Sequence, residues 1–573
     1  MINAKINGID VVVEKGTSIL EAAKSINIKL PTLCNMTMVD GETKNCKGTC
    51  RVCVVEIENK EGLVPSCATE TKEGMSVKTN SLKAIRARRT IAELLLSDHP
   101  MDCLKCEKNN KCELQDLVFE LGIDKNSYEG ERVHYDLDIC DSFVRDREKC
   151  IMCRRCVTAC NEIQKVHAIT VANRGFESNI STFCNDSISD TKCTYCGQCV
   201  AVCPTGALRE KSDYKEIWKL LDENKYTIVQ IAPAVRYALA EEFNLKTGEL
   251  AVGKIITALK MVGFNGVFDT NFAADLTIVE EAKEFMDRLE KGEKLPIITS
   301  CCPAWVKYAE NNYYENIELL STCKSPQQMF GAIAKSYLKE KLKLKKEDMK
   351  VVSIMPCIAK KYECNRDEMK DENGIKDVDL VITTRELAKL IREAGIDILS
   401  LEESEFDNPL GEASGAGAIF GTSGGVMEAA LRTSYEWITG KTLEKLDFEE
   451  VRGLEGIKEG KINLNGNDIN IAVVSSLGKA KKIMDEIKSG NCKYQFIEVM
   501  ACPGGCIDGG GQPYIKSNRE ILEKRMNHIY KTDKEKVIRK SHENPIIKEV
   551  YNEYLEKPNS SIAHNILHVN YKK

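Results

Sequence analysis

"CTYCGQCVAVCP" occupies residues 193–204, and the same spacing stands earlier in "CIMCRRCVTAC", residues 150–160. Each run reads Cys-x2-Cys-x2-Cys-x3-Cys. Thiolates this close together converge on one metal centre, so each run is a ligand set. The alternative use of cysteine, a disulfide framework, needs an oxidising compartment. The N-terminus, "MINAKINGIDVVVEKGTSILEAAKS", has neither an uninterrupted apolar stretch nor a twin-Arg signal, so no export is expected. A cytoplasmic location and metal-bound cysteines are the resulting expectation.

The remaining sequence bounds the answer further. The chain has 573 residues and 26 cysteines. That length suggests about three or four domains. No apolar run reaches roughly 18 residues, so no membrane span is expected. A net charge of −6 gives no support for a nucleic-acid partner. Eighteen cysteines fall between residues 34 and 203, and eight between 301 and 506. The division places a cysteine-rich N-terminal part before a larger C-terminal domain, with the join near 205–225.

Local patterns supply the elements. "INAKINGIDVVVEKG" alternates around Asn7-Gly8, which predicts a hairpin. "TSILEAAKSINI" predicts a helix capped by Thr17 or Ser18. "RVCVVEIE" predicts a strand. Strand, strand, helix, cysteine loop, strand is a β-grasp order. "SLKAIRARRT" (81–90) predicts an amphipathic helix with a basic solvated face. Beyond residue 225, "TIVQIAP", "LPIITSCCP", "KVVSIMPC", "DLVITT" and "INIAVVSS" predict buried parallel strands between helices.

Two further constellations precede residue 150. Cys50-x2-Cys53 puts two thiolates on one metal, and Cys34 and Cys67 are available to complete four; zinc is the alternative to iron and sulfide. "HPMDCLKCEKNNKC" (99–112) supplies His99, Cys103, Cys106 and Cys112. An imidazole in place of a thiolate leaves a cluster less negative and raises its potential. The two Cys-x2-Cys-x2-Cys-x3-Cys runs follow the bacterial two-cluster ferredoxin pattern, in which the fourth cysteine of each serves the other cluster. That pattern assigns Cys150, Cys153, Cys156 and Cys203 to one cluster and Cys193, Cys196, Cys199 and Cys160 to the other. Four clusters in series are an electron wire.

Three motifs remain: "TSCCPAWV" (299–306), "MPCIAKK" (355–361) and "MACPGGCIDGGGQP" (500–513). Each follows an apolar strand, and strand ends converge on a crevice in open α/β sheets. Together they closely resemble the signatures of FeFe-hydrogenases, of the monomeric, ferredoxin-linked type of fermentative anaerobes. "GTCRVCVVEIE…VPSC" and the His99 stretch resemble the ferredoxin-like and His-ligated regions of that family and of the complex I large iron–sulfur subunit. The resemblance covers essentially the whole chain.

It implies an α+β and α/β multidomain fold. Residues 1–80 would be a β-grasp 2Fe–2S ferredoxin-like domain bound by Cys34, Cys50, Cys53 and Cys67. Residues 81–125 would be a His/Cys3 4Fe–4S domain, 126–209 a two-4Fe–4S ferredoxin-like domain, and 210–573 the catalytic H-cluster domain. Cys302, Cys357, Cys502 and Cys506 would hold the H-cluster cubane. Cys506 would bridge to a di-iron subsite carrying CO, cyanide and azadithiolate. Cys301 would pass protons, followed by Glu281, Ser321, Glu284 and Arg288. The spacing of Glu281, Glu284 and Arg288 puts them on one helix face, where a solvated ion-pair face is the alternative. Lys360 would donate to a cyanide, with Pro233, Gln327, Met355 and Met500 lining the pocket and "GAGAIFGTSGG" (415–425) packed nearby.

The implied activity is reversible reduction of protons to dihydrogen with ferredoxin or flavodoxin electrons, by a monomer loaded by H-cluster maturation proteins. A sensing or electron-bifurcating member of the family is the alternative. Sensors tend to lose the proton-relay cysteine, which this chain keeps as Cys301. A basic patch of Lys83, Arg86, Arg88 and Arg89 would steer an acidic ferredoxin. Pro503 and Ala234 stand where some members have histidine and serine. Cys46, Cys140, Cys184, Cys323, Cys364 and Cys492 receive no role.

Overall fold

The computed structural model describes residues 1–36, 48–223, 225–516 and 518–571; Cys46 lies outside them. At the N-terminus, β1 (Ile2–Ile6) and β2 (Ile9–Val13) form the expected hairpin. Asn7 and Gly8 both take positive φ, 49° and 82°, as a two-residue primed turn demands. Ser18 caps the helix Ile19–Ser25 through a reciprocal capping box with Glu21. The strands β3 (Val54–Ile57), β4 (Leu63–Pro65) and β5 (Met75–Lys78) complete a five-stranded sheet in the order β2-β1-β5-β3-β4. Ile6, Ile19, Ala22, Val55 and Val77 fill its core.

The basic run is helix Leu82–Ser97, and here the expected docking face needs correction. Lys83, Arg86 and Arg89 are exposed, but Arg88 is buried. Its Nε and Nη2 donate to the Val54 carbonyl at 3.1 and 2.7 Å. Arg88 therefore pins this helix to β3, because a buried guanidinium must spend its donors on protein acceptors. It is not part of a surface patch.

A small antiparallel sheet follows. It contains β6 (Asp138–Ile139), β7 (Phe143–Arg145) and, beyond the β8–β9 hairpin (Thr170–Ala172 and Asn179–Ser181), β10 (Leu208–Glu210), in the order β10-β7-β6. The two long cysteine runs lie between these strands.

Two four-stranded sheets build the rest. The first contains β11 (Tyr226–Ile231), β12 (Gly266–Asp269), β14 (Met349–Met355) and β15 (Leu380–Thr383), all parallel, in the order β12-β11-β14-β15. The second contains β13 (Ile297–Ile298), β16 (Ile457–Leu464), β17 (Asn467–Ser475) and β18 (Phe496–Met500), in the order β13-β18-β17-β16. β17 runs parallel to β18 but antiparallel to β16, so the all-parallel expectation holds only in part. The cause is local. Asn465 and Gly466 take φ of 51° and 89°, closing a second Asn-Gly hairpin like that at Asn7-Gly8. Among the described residues no helix is long and apolar enough to cross a membrane.

The role found for Arg88 makes a distinction between neighbours. Arg88→Leu leaves the buried Val54 carbonyl without its donors and should cost roughly 1–3 kcal/mol. Lys83→Glu on the exposed face should cost less than about 0.5 kcal/mol. Thermal melts of the two variants should show the first shifted and the second near wild type.

Candidate active site

Strand ends from both large sheets meet at one cavity. β11 runs into Pro233, β14 into Cys357, β13 into Cys301 and Cys302, and β18 into Cys502 and Cys506. All six residues line a space of about 780 Å3. Met355, Met500, Gln327, Ala234, Phe420, Gly421 and Lys360 complete most of the wall. Pro303 opens helix Pro303–Asn312 with Cys302 at its N-cap. Proline suits that first turn, where its missing N–H has no intrahelical partner to lose. The same geometry holds at Pro326, which opens the helix carrying Gln327. Gly505 and Gly509 keep the cysteine loop close to its neighbours. A Cβ on Gly505 would lie 2.5 Å from the Ser423 nitrogen, and one on Gly509 2.2 Å from the Pro356 carbonyl oxygen.

The donor set suits an iron–sulfur group. Cys302, Cys357, Cys502 and Cys506 are free thiols facing one mainly apolar cavity. Burial and then the neighbouring sulfurs push Cys357 up to about 11 and Cys506 up to about 12. A metal centre bound between the four thiols would offset that penalty and let them ligate as thiolates.

Lys360 is half-buried, its side chain 12% exposed, and turned into the protein. Its Nζ donates to the Cys301 carbonyl at 3.0 Å and to Glu363 at 3.0 and 3.1 Å. Burial opposes its charge, but Glu363 outweighs that and holds its pKa above the ordinary lysine value. Glu363 also accepts from Ser325 and Gln327 at 2.9 and 3.1 Å. One carboxylate thus orients Lys360 and Gln327 on this wall, with Ser325 behind them.

Cys301 faces the same cavity beside Cys302 but opens a different route. Burial, and after it the nearby Glu281 charge, raises its thiol well above the usual value. Glu281, Glu284 and Arg288 lie on helix Thr270–Lys291 and are 1%, 8% and 8% exposed. A solvated ion-pair face is excluded by that burial. Ser321 Oγ donates to Glu284 Oε2 at 3.1 Å, and Arg288 Nη2 donates to Glu284 Oε1 at 2.6 Å. Glu281 Oε2 has no partner. Burial raises the Glu281 pKa from 4.5 to about 8, with the Glu284 and Glu498 charges adding to it while Ser321 opposes. A carboxyl poised near neutrality beside a buried thiol can hold or release a proton there.

Three sets of N-terminal cysteines gather in space. Cys34 contacts Cys50 and Cys67, and Cys53 contacts Cys67, thiol to thiol. Cys150, Cys153, Cys156 and Cys203 line one pocket of about 470 Å3. Cys203 therefore crosses from its own run to the other. Cys160 lies close enough to Cys193, Cys196 and Cys199 to raise all three thiols, after the larger effect of burial. His99 is half-buried, with its Nδ1 atom shielded from solvent and unpartnered. Burial pushes its pKa down to about 4, so a neutral ring presents a free lone pair. Near it in sequence, Cys106 and Cys112 are half-buried and Cys103 is exposed.

Contacts join this part to the cavity. Gly197 packs on Gly510 so tightly that a Cβ on Gly510 would lie 2.8 Å from the Gly197 Cα. Gln198 Nε2 donates to the Asp508 carbonyl at 3.1 Å, and Cys502 Sγ approaches the Cys196 carbonyl at 3.9 Å. Two residues went unread in the sequence. Glu498 is a charged residue inside the apolar strand β18, which was a usable signal. Glu363 stands three residues after Lys360, which was a usable signal too, but its other partners, Ser325 and Gln327, lie far along the chain.

The comparisons with known proteins follow the same layout. Residues 225–510 match the model of the C-terminal domain of the iron-only hydrogenase large subunit, and 519–573 that of the iron hydrogenase small subunit. Residues 1–81 match a 2Fe–2S iron–sulfur cluster binding domain, and 88–127 the NADH-ubiquinone oxidoreductase-G iron–sulfur binding region. Residues 142–209 match the ferredoxin-like domain of NADH-quinone oxidoreductase subunit 3. The NADP-reducing hydrogenase subunit HndD of Solidesulfovibrio fructosivorans is 50% identical, over 100% of this chain and 99% of its own. Iron hydrogenase 1 of Clostridium pasteurianum is 40% identical over 99% of each. The apo FeFe-hydrogenase HydA1 of Chlamydomonas reinhardtii superposes with a TM-score of 0.56 at 41% identity, covering 62% of this chain and 98% of that one.

The raised pKa of Glu281 has a signed consequence. Stability from its neutral form is complete below the ordinary value of 4.5 and is lost as pH rises towards about 8. Glu281→Gln, permanently neutral, removes that slope. Melting temperatures at pH 6 and pH 9 should therefore differ more in the wild type than in the variant.

Proposed function

The chain belongs to the FeFe-hydrogenase family, and from that premise we propose that it interconverts dihydrogen with protons and electrons at the cavity below β13 and β18. The observation that carries this reading is the adjacency, inside one cavity, of four free thiols with a fifth, Cys301, beside buried carboxyls. A sensor needs the first feature but not the second.

In this reading Cys302, Cys357, Cys502 and Cys506 would hold the H-cluster. When bound, that group supplies the redox chemistry on hydrogen. Pro233, Met355, Met500 and Gln327 keep the pocket dry, which strengthens every polar contact inside it. Lys360 presents an ammonium to an anionic ligand of the group and is held there by Glu363. Cys301 hands protons to Glu281. Ser321 lies between Glu281 and Glu284, and Arg288 fixes Glu284. Insertion of the di-iron subsite falls to maturation proteins.

The electron wire uses one 2Fe–2S and three 4Fe–4S clusters. Its ligands are Cys34, Cys50, Cys53 and Cys67; His99, Cys103, Cys106 and Cys112; and the two crossed sets. The close approach of Cys196 to Cys502 supports electron delivery to the cavity from the second crossed set. Ferredoxin or flavodoxin is the proposed carrier. A second reading, catalytic subunit of a nicotinamide-reducing complex, is favoured by the full-length similarity to an NADP-reducing hydrogenase subunit. Hydrogen-dependent reduction by the purified chain separates them. Rapid ferredoxin reduction with no NADP reduction supports the first reading. Turnover that requires a further subunit supports the second.

Cys301 and Cys302 make opposite predictions. Cys301→Ala should keep its iron and its CO and cyanide infrared bands while losing hydrogen turnover by at least about a hundredfold. Cys302→Ala should lose the cubane iron. Near-normal turnover by Cys301→Ala would remove the proton role of the whole Glu281–Ser321–Glu284 line.

A further inference from the structure

Beyond Glu284 the proposed path meets a residue from the far C-terminus. The segment at residues 567–569 lies alongside residues 322–324, with Val569 N–H donating to the Thr322 carbonyl at 2.7 Å and Lys324 N–H to the Leu567 carbonyl at 2.8 Å. This register buries His568, at 7% exposure, next to Glu284. A Glu284 carboxylate oxygen, the Cys323 sulfur and a His568 ring nitrogen all lie within 4.8 Å of one another. Cys323 Sγ donates to Glu284 Oε2 at 3.8 Å.

The imidazole is clamped at both nitrogens. Nε2 lies 3.1 Å from Glu280 Oε2, and Nδ1 lies 2.8 Å from Thr322 Oγ1. Glu280 is fully buried and also accepts from the Tyr551 hydroxyl and, at 2.8 Å, from the Asn559 N–H. The arrangement sets the tautomer: Nε2–H donates to the carboxylate, and Nδ1 is left as an acceptor facing the Thr322 hydroxyl. On its other side, the His568 ring stacks on His564 at 4.4 Å and 8°. His564 is exposed.

Arg288 touches Glu284 but keeps its protons at any working pH. A guanidinium can orient a carboxylate; it is a poor station for a proton in transit. Imidazole is the side chain that gains and loses a proton near neutrality, and His568 is the one within reach of Glu284.

We propose that His568 is the outer station of the proton path, exchanging protons between Glu284 and solvent at the His564 edge. The step moves only a proton. Glu284 gives it up and becomes a carboxylate; His568 takes it at Nδ1, as the Thr322 hydroxyl turns from donor to acceptor, and becomes an imidazolium. Glu280 supplies the opposing charge. The proton then leaves to water beside His564, and the neutral tautomer is restored. Thr322 and Glu280 are positioning residues in this scheme.

The proposal rests on Glu284 being the outer carboxyl of the hydrogenase path, so the experiment includes it. Matured holoenzyme carrying His568→Gln should retain its iron and infrared bands, since Gln keeps a donor and an acceptor for the same neighbours. Its hydrogen evolution should fall at least about tenfold. His564→Ala, on the surface, should fall less, and imidazole added to the buffer should restore it. Wild-type rates in both variants, with Glu284→Ala inactive, would overturn the role of His568 alone. Wild-type rates in Glu284→Ala as well would overturn the underlying path. If His568→Gln fails to assemble its clusters, His564→Ala decides: no loss of rate and no response to imidazole rejects the proposal.

Discussion

A backbone contact without side chains, Gly197 on Gly510, joins the cysteine runs to the cavity, and much of the architecture serves it. It sets the loop bearing Cys196 directly against the loop bearing Cys502, the closeness that the proposed electron delivery requires. Any Cβ at Gly510 would enter Gly197. The contact is reinforced from both sides. Gln198 reaches the Asp508 carbonyl. Arg385, buried and paired with Glu210, donates to the Gly510 carbonyl at 2.6 Å and also to that of Gln512. A buried, bidentate guanidinium is a rigid tie, and this one holds β10 and the cysteine loop together.

Two kinds of side chain meet at the cavity, and their surroundings differ. The thiols stand in apolar pockets, where burial suppresses ionisation. Beside Cys301 stand buried carboxyls, with Glu281 among the charges of Glu284, Glu498 and Arg288. Glu281 lacks a cation at hydrogen-bond distance and sits near neutrality, whereas Glu284 is held by Arg288, Ser321 and the Thr322 N–H. Adjacent carboxyls in unequal environments can pass a proton in sequence. Cys301 and Cys302, one residue apart, face these two systems separately.

Local rules were readable wherever they acted over a few residues. The hairpin at Asn7-Gly8, the Ser18 capping box and the repeated cysteine spacing all needed only near neighbours. The cavity-lining places of Pro233, Gln327, Met355 and Met500 came from family resemblance, since no local pattern separates a pocket methionine from a core one. Arg88 was misread for a related reason. A basic helix looks solvated until β3 packs against it and a carbonyl needs its donors.

The sequence by itself determined which residues were available to hold metal, the order of the cysteine sets along the chain and the short apolar strands that carry them. Thiolate chemistry and strand periodicity are local properties, so they survive in one dimension. Only the tertiary structure decided that Cys203 faces Cys150, that Ser325 and Gln327 converge on Glu363, and that His568 lies within reach of Glu284 from the far end of the chain. Those pairings depend on sheet order and chain closure. They set the burial and the charge environment of the candidate ligands and of the carboxyls beside them.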